Sequence, residues 1–365
     1  MSLSVVIAAG GTGGHMVPAH ALSEELLRRG HAVSLLTDAR GLRFPGLFER
    51  VERHVLASAT ASGANPVAWA RALAAILRGR AAGRRVLADV RAAAVVGFGG
   101  YPSLPGLLAA ISRRLPALLH EQNAVLGRVN RHLQRRVGAV ALTYPETAGV
   151  DASLGSRVHV VGNPVREAIL AVRDIPFAPP AAGEPLRLLV TGGSQGARIL
   201  SRLVPEAVLG LPPAERARLS IVQQCREEDL SEVSGRYRAA GVAAECLPYM
   251  ADLPQRLAAA HLVVARSGAS TMAELTAMGR PAILIPFAAA ADDHQTANAR
   301  PFVAAGGGMM LSEAEATPAR LGGMLSGFLG APEALVAAAA AARGLGRPHA
   351  AARLADLVEQ QAAGA

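Results

Sequence analysis

The sequence predicts an α/β fold built from two Rossmann-like halves, and three observations carry that expectation. Short runs rich in Val, Ile and Leu alternate with longer helical patterns. These runs read apolar throughout rather than in alternation. One device, a buried strand followed by a glycine-rich turn and a helix, occurs twice. Strands apolar on both faces and separated by helices belong to parallel sheets covered on both sides. At 365 residues the chain can bury two separate cores.

In chain order the expected strands lie in "LSVVIAAGG", "HAVSLLT", "AAAVVGFGG", "PALLHEQN", "AVALTY" and "RVHVVGNP", then in "LRLLVTGG", "LSIVQQC", "HLVVARSG" and "PAILIPF". The repeated device occupies residues 3–15, "LSVVIAAGGTGGH", and 186–197, "LRLLVTGGSQGA". Between the halves, residues 161–185 are Pro- and Ala-rich with little periodicity, the composition of a linker. The boundary is therefore expected near 163–166, giving domains 1–164 and 165–341. The tail reads as two Ala-rich helices broken around 344–348, the last of which fits either half.

Hydrophobic residues make up 51% and charged residues 18%, a globular balance, and no apolar run of membrane-spanning length escapes an Arg or a Gly–Pro break. The N-terminus lacks a basic region and a small-residue cleavage site, so a cytoplasmic protein is expected. Cys225 and Cys246 show no C-x-x-C spacing and read as buried free thiols. The net charge of +9 comes entirely from Arg, because the chain contains no Lys. That absence removes a Walker A lysine, a pyridoxal Schiff base and a lysine base together. With aromatics at 3% and no Arg face interleaved with stacking residues, nucleic acid is not an expected partner.

The first glycine turn lets backbone N–H groups and a helix N-terminus approach an anion, usually phosphate, although a purely structural turn is the competing reading. The dinucleotide fingerprint is not met, since Met16 stands near where a third Gly belongs. Asp38, at the end of the second strand, nevertheless keeps an NAD-dependent oxidoreductase open. His15 falls in the first turn of the following helix, where the dipole favours a neutral ring; it reads either as a general base or as a packed or capping residue.

Two further clusters lie at strand ends that a parallel sheet brings to one edge: "GFGGYPSLPG" at 97–106, with Tyr101 and Ser103, and "HEQN" at 120–123, both expected to line a crevice. HEQN is not H-E-x-x-H, and no metal site is predicted. In the second half, "TGGSQGA" offers Ser194 and Gln195 at a phosphate-sized turn. "ARSGASTMAEL" supplies helix N-terminal amides, with Glu274 one turn in, placed either to accept two ribose hydroxyls or to cap the helix. "IPFAAAADDHQTANA" gathers Asp292, Asp293, His294, Gln295 and Asn298; uncharged amides there suit sugar hydroxyls. Neither a paired-carboxylate hydrolase nor a G-x-S-x-G elbow is visible.

Taken together and in order, "GGTGGHMVPA", "GFGGYPSLPG", "HEQN", "GNPVR", "TGGSQGA", "RSGASTMAE" and "DDHQTANA" resemble the undecaprenyldiphospho-muramoylpentapeptide β-N-acetylglucosaminyltransferases, the MurG family, from residue 3 to about 340. The resemblance implies two Rossmann-like domains facing across a cleft (GT-B), with the last helix, about 342–365, returning to the N-terminal domain. It implies inverting transfer of N-acetylglucosamine from UDP-N-acetylglucosamine to lipid I in peptidoglycan synthesis, with no obligatory cofactor and Mg²⁺ at most modulating. For the donor it implies Ser194 and the amides of Ala269, Ser270 and Thr271 on the diphosphate, Met272 and Ala273 within the donor site, and Glu274 on the ribose. Gln295 would meet the sugar, the Met250 backbone the uracil, and Arg166 the nucleotide. In the first domain, Thr12, Gly13 and Gly14, with Asn123 close by, would meet the transferred sugar and the acceptor diphosphate. Gly11, Tyr101 and Ser103 would lie on the acceptor side and His15 would be the base. A UDP-N-acetylglucosamine 2-epimerase shares the design and is the rival reading.

A lipid acceptor gives the basic excess a use. Residues 64–91 put Trp69, Leu73, Ile76 and Leu77 at helical spacing, followed by Arg78, Arg80, Arg84 and Arg85, and Arg113 and Arg114 lie further on. This suits an amphipathic face on anionic lipid at the cytoplasmic side of the inner membrane, and equally an ordinary core-facing helix.

Overall fold

The computed structural model describes residues 2–44, 46–59, 65–193 and 196–364. The chain divides into two compact units, Met1–Arg166 with Arg347–Ala365, and Glu167–Gly346. Each is a parallel sheet clothed by helices. The divisions fall a few residues beyond the 164/165 and 341/342 expected from composition.

In unit 1 the strands are β1 (Ser4–Ala8), β2 (Ala32–Thr37), β3 (Glu52–Val55), β4 (Ala94–Gly97), β5 (Ala117–Glu121), β6 (Ala139–Leu142) and β7 (Val158–Val160), in the order β3-β2-β1-β4-β5-β6-β7. Every pairing is parallel, with Val5 opposite both Val33 and Ala94. The order reverses between β1 and β4, and the loops leaving those two strands part there to open a crevice at the carboxyl edge. Three helices frame it: α1 (Gly13–Arg28), α2 (Pro66–Asp89) and α3 (Gly100–Ser112).

The C-terminal helix, Ala350–Ala363, belongs to unit 1, where Leu354, Ala355, Leu357 and Val358 share a core with Val5, Ile7 and Leu22. Arg29 at the end of α1 fastens it through Asp356 (2.7 Å), Glu359 (3.1 Å) and the Ala352 carbonyl (3.0 Å).

Unit 2 repeats the plan with β8 (Leu186–Thr191), β9 (Leu219–Gln224), β10 (Ala243–Leu247), β11 (Leu262–Ala265), β12 (Ala282–Leu284) and β13 (Gly308–Met310), ordered β10-β9-β8-β11-β12-β13. Its reversal lies between β8 and β11, so the turn after β8 and the 266–268 turn flank the corresponding crevice.

Three strands escaped the sequence reading: β3, β10 and β13. All three are sheet edges. An edge strand has one neighbour and a partly wet face, so "ERHV", "AAECL" and "GMM" carry no continuous apolar run.

The helix question at 64–91 also resolves. On α2 the inward face is Ala72, Ala75, Gly79, Gly83 and Leu87, whereas Trp69, Leu73 and Leu77 are 54%, 58% and 50% exposed. The core-facing reading therefore fails for these three residues. Among the described residues, no single helix is long and apolar enough to cross a membrane.

Candidate active site

The crevice of unit 1 begins where β1 runs out into Ala9, Gly10 and Gly11. Gly10 has no space for a side chain: a Cβ would sit 2.7 Å from Pro102 and 2.9 Å from the Asp38 carboxylate. Gly11 takes φ +85°, a conformation that favours Gly. The Thr12 carbonyl then accepts from His15 N and Met16 N (both 3.1 Å), starting α1 and leaving the Gly13 and Gly14 amides at its open end. Thr12 and Gly14 are exposed and Gly13 is half-buried.

His15 stands half-buried at this end, against the turn that follows β4. A Cβ on Gly99 would come 3.6 Å from its Cε1, and one on Gly100 3.2 Å from its Nε2. Its Nδ1 meets Gln122 Oε1 at 2.9 Å.

Behind it lies a buried polar network. Gln122 Nε2 reaches both His120 Nδ1 and the His120 carbonyl at 2.9 Å, and His120 Nε2 meets the Gly162 carbonyl at 2.9 Å. Burial depresses the His120 pKa to about 4, the Gly162 bond opposing this only in part. Glu121 Oε2 accepts from Gly127 N (2.8 Å) and Asn130 Nδ2 (2.9 Å), while its Oε1 accepts from Asn123 N (3.1 Å) and Asn123 Nδ2 (3.2 Å).

These contacts correct the expectation that the whole HEQN cluster lines the crevice. His120, Glu121 and Gln122 are buried and hold the loop from beneath; only Asn123 is half-exposed. Ser103 needs a correction too. It is fully buried inside α3, its hydroxyl donating to the Gly100 carbonyl at 2.9 Å, so it secures that turn instead of facing an acceptor. Tyr101, half-buried beside it, packs on the core. Asp38 accepts from Gly41 N (3.2 Å) and Arg40 Nε (2.7 Å), which engages the carboxylate that a nicotinamide ribose would need.

In unit 2 the turn after β8 is held by a residue that the sequence reading passed over. Gln224 Oε1, buried at the end of β9, accepts from Thr191 Oγ1 and Gly192 N, both at 3.1 Å, and its Nε2 reaches the Pro248 carbonyl at 3.5 Å. The signal was present as two Gln closing an otherwise apolar strand in "LSIVQQC". Ser194 and Gln195 lie outside the described residues.

The helix Ala269–Met278 opens at the 266–268 turn. Met272 N bonds the Gly268 carbonyl at 2.9 Å, which closes the first helical turn and leaves Ala269, Ser270 and Thr271 as the open amides. Met272 and Ala273, also expected in the donor site, have their N–H groups inside the helical ladder. Glu274 is buried one turn in.

Beside this helix, Ser267 Oγ donates to the Gln295 carbonyl (2.8 Å) and Asn298 Nδ2 to the Ser267 carbonyl (3.1 Å). Gln295 Oε1 accepts from Phe287 N at 3.0 Å, so the oxygen end of this amide is held by backbone. Arg266 donates to the carbonyls of Ile285 and Pro286 at 3.0 Å and lies over the Phe287 ring, bracing the same loop. The Met250 side chain is buried and its carbonyl accepts from Leu253 N at 3.3 Å; Arg166, half-buried, ends unit 1. Asp292 and Asp293 are exposed. Among the described residues, no three His, Cys, Asp or Glu side chains converge as a metal site.

Comparison with known proteins adds a family. The models of the glycosyltransferase family 28 N-terminal and C-terminal domains match residues 5–142 and 187–360. A relative from Novosphingobium aromaticivorans is 51% identical over 98% of this chain and 92% of its own, and one from Erythrobacter litoralis 49% identical over 97% and 89%. Both carry the name UDP-N-acetylglucosamine–N-acetylmuramyl-(pentapeptide) pyrophosphoryl-undecaprenol N-acetylglucosamine transferase. Among solved structures, MurG of Acinetobacter baumannii superimposes with a TM-score of 0.77 at 29% identity, covering 98% of this chain and 99% of that one. A UDP-N-acetylglucosamine 2-epimerase-type structure from Listeria monocytogenes reaches a TM-score of 0.69 at 15% identity, covering 100% and 98%, which is a likeness of fold alone.

Proposed function

The chain belongs to glycosyltransferase family 28, and from that premise we propose a division of labour in which unit 2 holds the nucleotide sugar and unit 1 holds the acceptor and the base. The reaction is transfer of N-acetylglucosamine from UDP-N-acetylglucosamine to undecaprenyl-pyrophosphoryl-N-acetylmuramyl-pentapeptide (lipid I) in peptidoglycan synthesis. One observation carries the division: each unit ends a central strand in a glycine turn at its own switch point, but among the described residues only unit 1 sets an imidazole there.

On the donor side, the open amides of Ala269, Ser270 and Thr271 meet the diphosphate at the positive end of their helix. By the family resemblance, Ser194 joins them at the diphosphate. Glu274, one turn on, accepts the ribose hydroxyls, and the Met250 backbone pairs with the uracil edge. Arg166 lies by the nucleotide. With Gln295 Oε1 held by Phe287 N, its NH₂ end is the one that meets a sugar hydroxyl. On the acceptor side, Thr12, the amides of Gly13 and Gly14, and Asn123 receive the transferred sugar and the acceptor diphosphate, with Gly11 and Tyr101 alongside.

Chemistry then follows from charge. The C4 hydroxyl of the muramoyl sugar attacks C1 of N-acetylglucosamine from the face opposite UDP. The C1–O bond breaks, its electron pair leaves with the diphosphate, and the anomeric centre inverts. Amides already aimed at the diphosphate stabilise that growing charge without reorganising. The hydroxyl proton passes to His15. Since main-chain donors meet the leaving group, no cation is obligatory, and Mg²⁺ at most modulates the reaction.

The exposed apolar and Arg residues of α2 would rest on the anionic cytoplasmic face of the inner membrane, where a lipid acceptor is found. Transfer of labelled N-acetylglucosamine to a lipid I analogue, run with and without EDTA, tests the reading. Release of free sugar without an acceptor would mark an epimerase-like enzyme. His15→Ala is expected to lower kcat by about 10² or more, and wild-type turnover in that variant removes His15 from the role.

A further inference from the structure

The network behind His15 fixes where protons sit, and it can be read from its buried end outwards. The Gly162 carbonyl can only accept, so His120 Nε2, 2.9 Å away, carries a hydrogen. His120 is wholly buried and its ring neutral, which leaves Nδ1 bare. Gln122 Nε2 lies 2.9 Å from that Nδ1 and 2.9 Å from the His120 carbonyl. Both are acceptors, so the amide nitrogen must face them, and its two hydrogens are thereby placed. Gln122 Oε1 is turned to His15 Nδ1 at 2.9 Å. An amide oxygen only accepts, and the hydrogen in that bond therefore belongs to His15.

We propose that His120 and Gln122 are positioning residues that fix the tautomer of His15, holding its proton on Nδ1 so that the Nε2 lone pair is the group that takes a proton from the acceptor. The catalytic half of this statement rests on the reading of His15 as the base; the tautomer is a property of the chain alone. Free histidine prefers its proton on Nε2, so the network reverses an intrinsic bias. The opposite tautomer would set the bare Nδ1 against the bare Gln122 Oε1, and losing one hydrogen bond at such a site disfavours it by about tenfold. The turn after β4 keeps Nε2 open: Gly100 stands beside that nitrogen with φ +70°, and a Cβ there would approach it to 3.2 Å.

¹⁵N NMR of the full chain with labelled histidine reads the tautomer directly, the His15 signals being assigned by their loss in His15→Ala. At a pH where the ring is neutral, wild type should show a pyrrole-type Nδ1 and a pyridine-type Nε2. Gln122→Leu should move the population toward a protonated Nε2 and lower kcat about tenfold with the donor KM unchanged. Gln122→Glu keeps an oxygen acceptor toward His15 but replaces the donor toward His120, so its second oxygen must carry a proton to meet that ring; it should keep the His15 proton on Nδ1. A pyrrole-type Nε2 in wild type, or a tautomer unmoved in Gln122→Leu, overturns the proposal. Should Gln122→Leu not fold, the wild-type spectrum decides alone. If His15→Ala turns over normally while His15 carries its proton on Nδ1, the base reading falls and the tautomer assignment stands; an inactive His15→Ala with a protonated Nε2 gives the converse.

Discussion

His120 is the residue at which function and stability meet. Its ring is neutral because burial leaves no water to solvate a charge, and its pKa falls to about 4 from the ordinary 6.5. In the unfolded chain the same imidazole titrates near its ordinary value. Between pH 6.5 and 4 the unfolded state therefore binds a proton that the folded state refuses. Stability falls as the pH drops through that window and levels off below it. A shift of this size corresponds to about 3 kcal/mol. Urea unfolding of unit 1 in wild type and in His120→Gln, at pH 7 and pH 4.5, isolates the effect: the variant lacks this proton linkage, so the gap between the two proteins should narrow toward acid. Parallel pH dependences would show that the ring is not held neutral. The sequence displayed His120 beside Gln122 and suggested that both face a ligand. What it could not display was burial, since the His15 ring that Gln122 meets lies 107 residues earlier in α1.

At the scale of elements, a glycine turn is only as well placed as what holds it. In unit 2 that is Gln224, whose carbonyl oxygen receives Thr191 Oγ1 and Gly192 N from the next strand. Gln224→Leu preserves volume but leaves both donors unmet, a loss of about 1 kcal/mol or more for each. We expect UDP-N-acetylglucosamine affinity, measured by calorimetry, to weaken about tenfold while the fold persists. Unchanged affinity would mean that the turn holds its shape without the latch. The same scale shows what patterning conveys. β1, β4, β8 and β11, buried on both faces at the centres of their sheets, announce themselves as apolar runs. β3, β10 and β13 do not, because an edge strand answers to one neighbour and to water. The two glycine turns were legible because glycine has few other reasons to cluster after a strand. Gln224 was not, because one amide at a strand end becomes a latch only once the adjacent strand is in register.

For the whole molecule the decisive quantity is surface composition. A chain with net charge +9 and no Lys presents its excess as guanidinium groups, which are less strongly hydrated than ammonium and bind phosphate in a bidentate way. On α2 this charge adjoins an apolar strip: Trp69, Leu73 and Leu77 are about half exposed, while Arg78, Arg84 and Arg85 follow on the same helix with their side chains exposed. Half-exposed Trp and Leu flanked by Arg match the composition of a helix lying at a lipid interface. Each Arg near an anionic surface contributes about 1 kcal/mol, so replacing Arg78, Arg80, Arg84 and Arg85 by Gln should weaken binding to phosphatidylglycerol-containing vesicles by at least tenfold. Raised salt should weaken the wild type in the same direction, because the attraction reaches only about a Debye length. None of the four belongs to the turns assigned to the donor or to His15, so turnover on a short-chain, water-soluble acceptor should stay at the wild-type level. Unchanged vesicle affinity in the fourfold variant, with transfer intact, would reassign the strip to another partner. A fall in transfer to the soluble acceptor would mean that these arginines serve the chemistry itself.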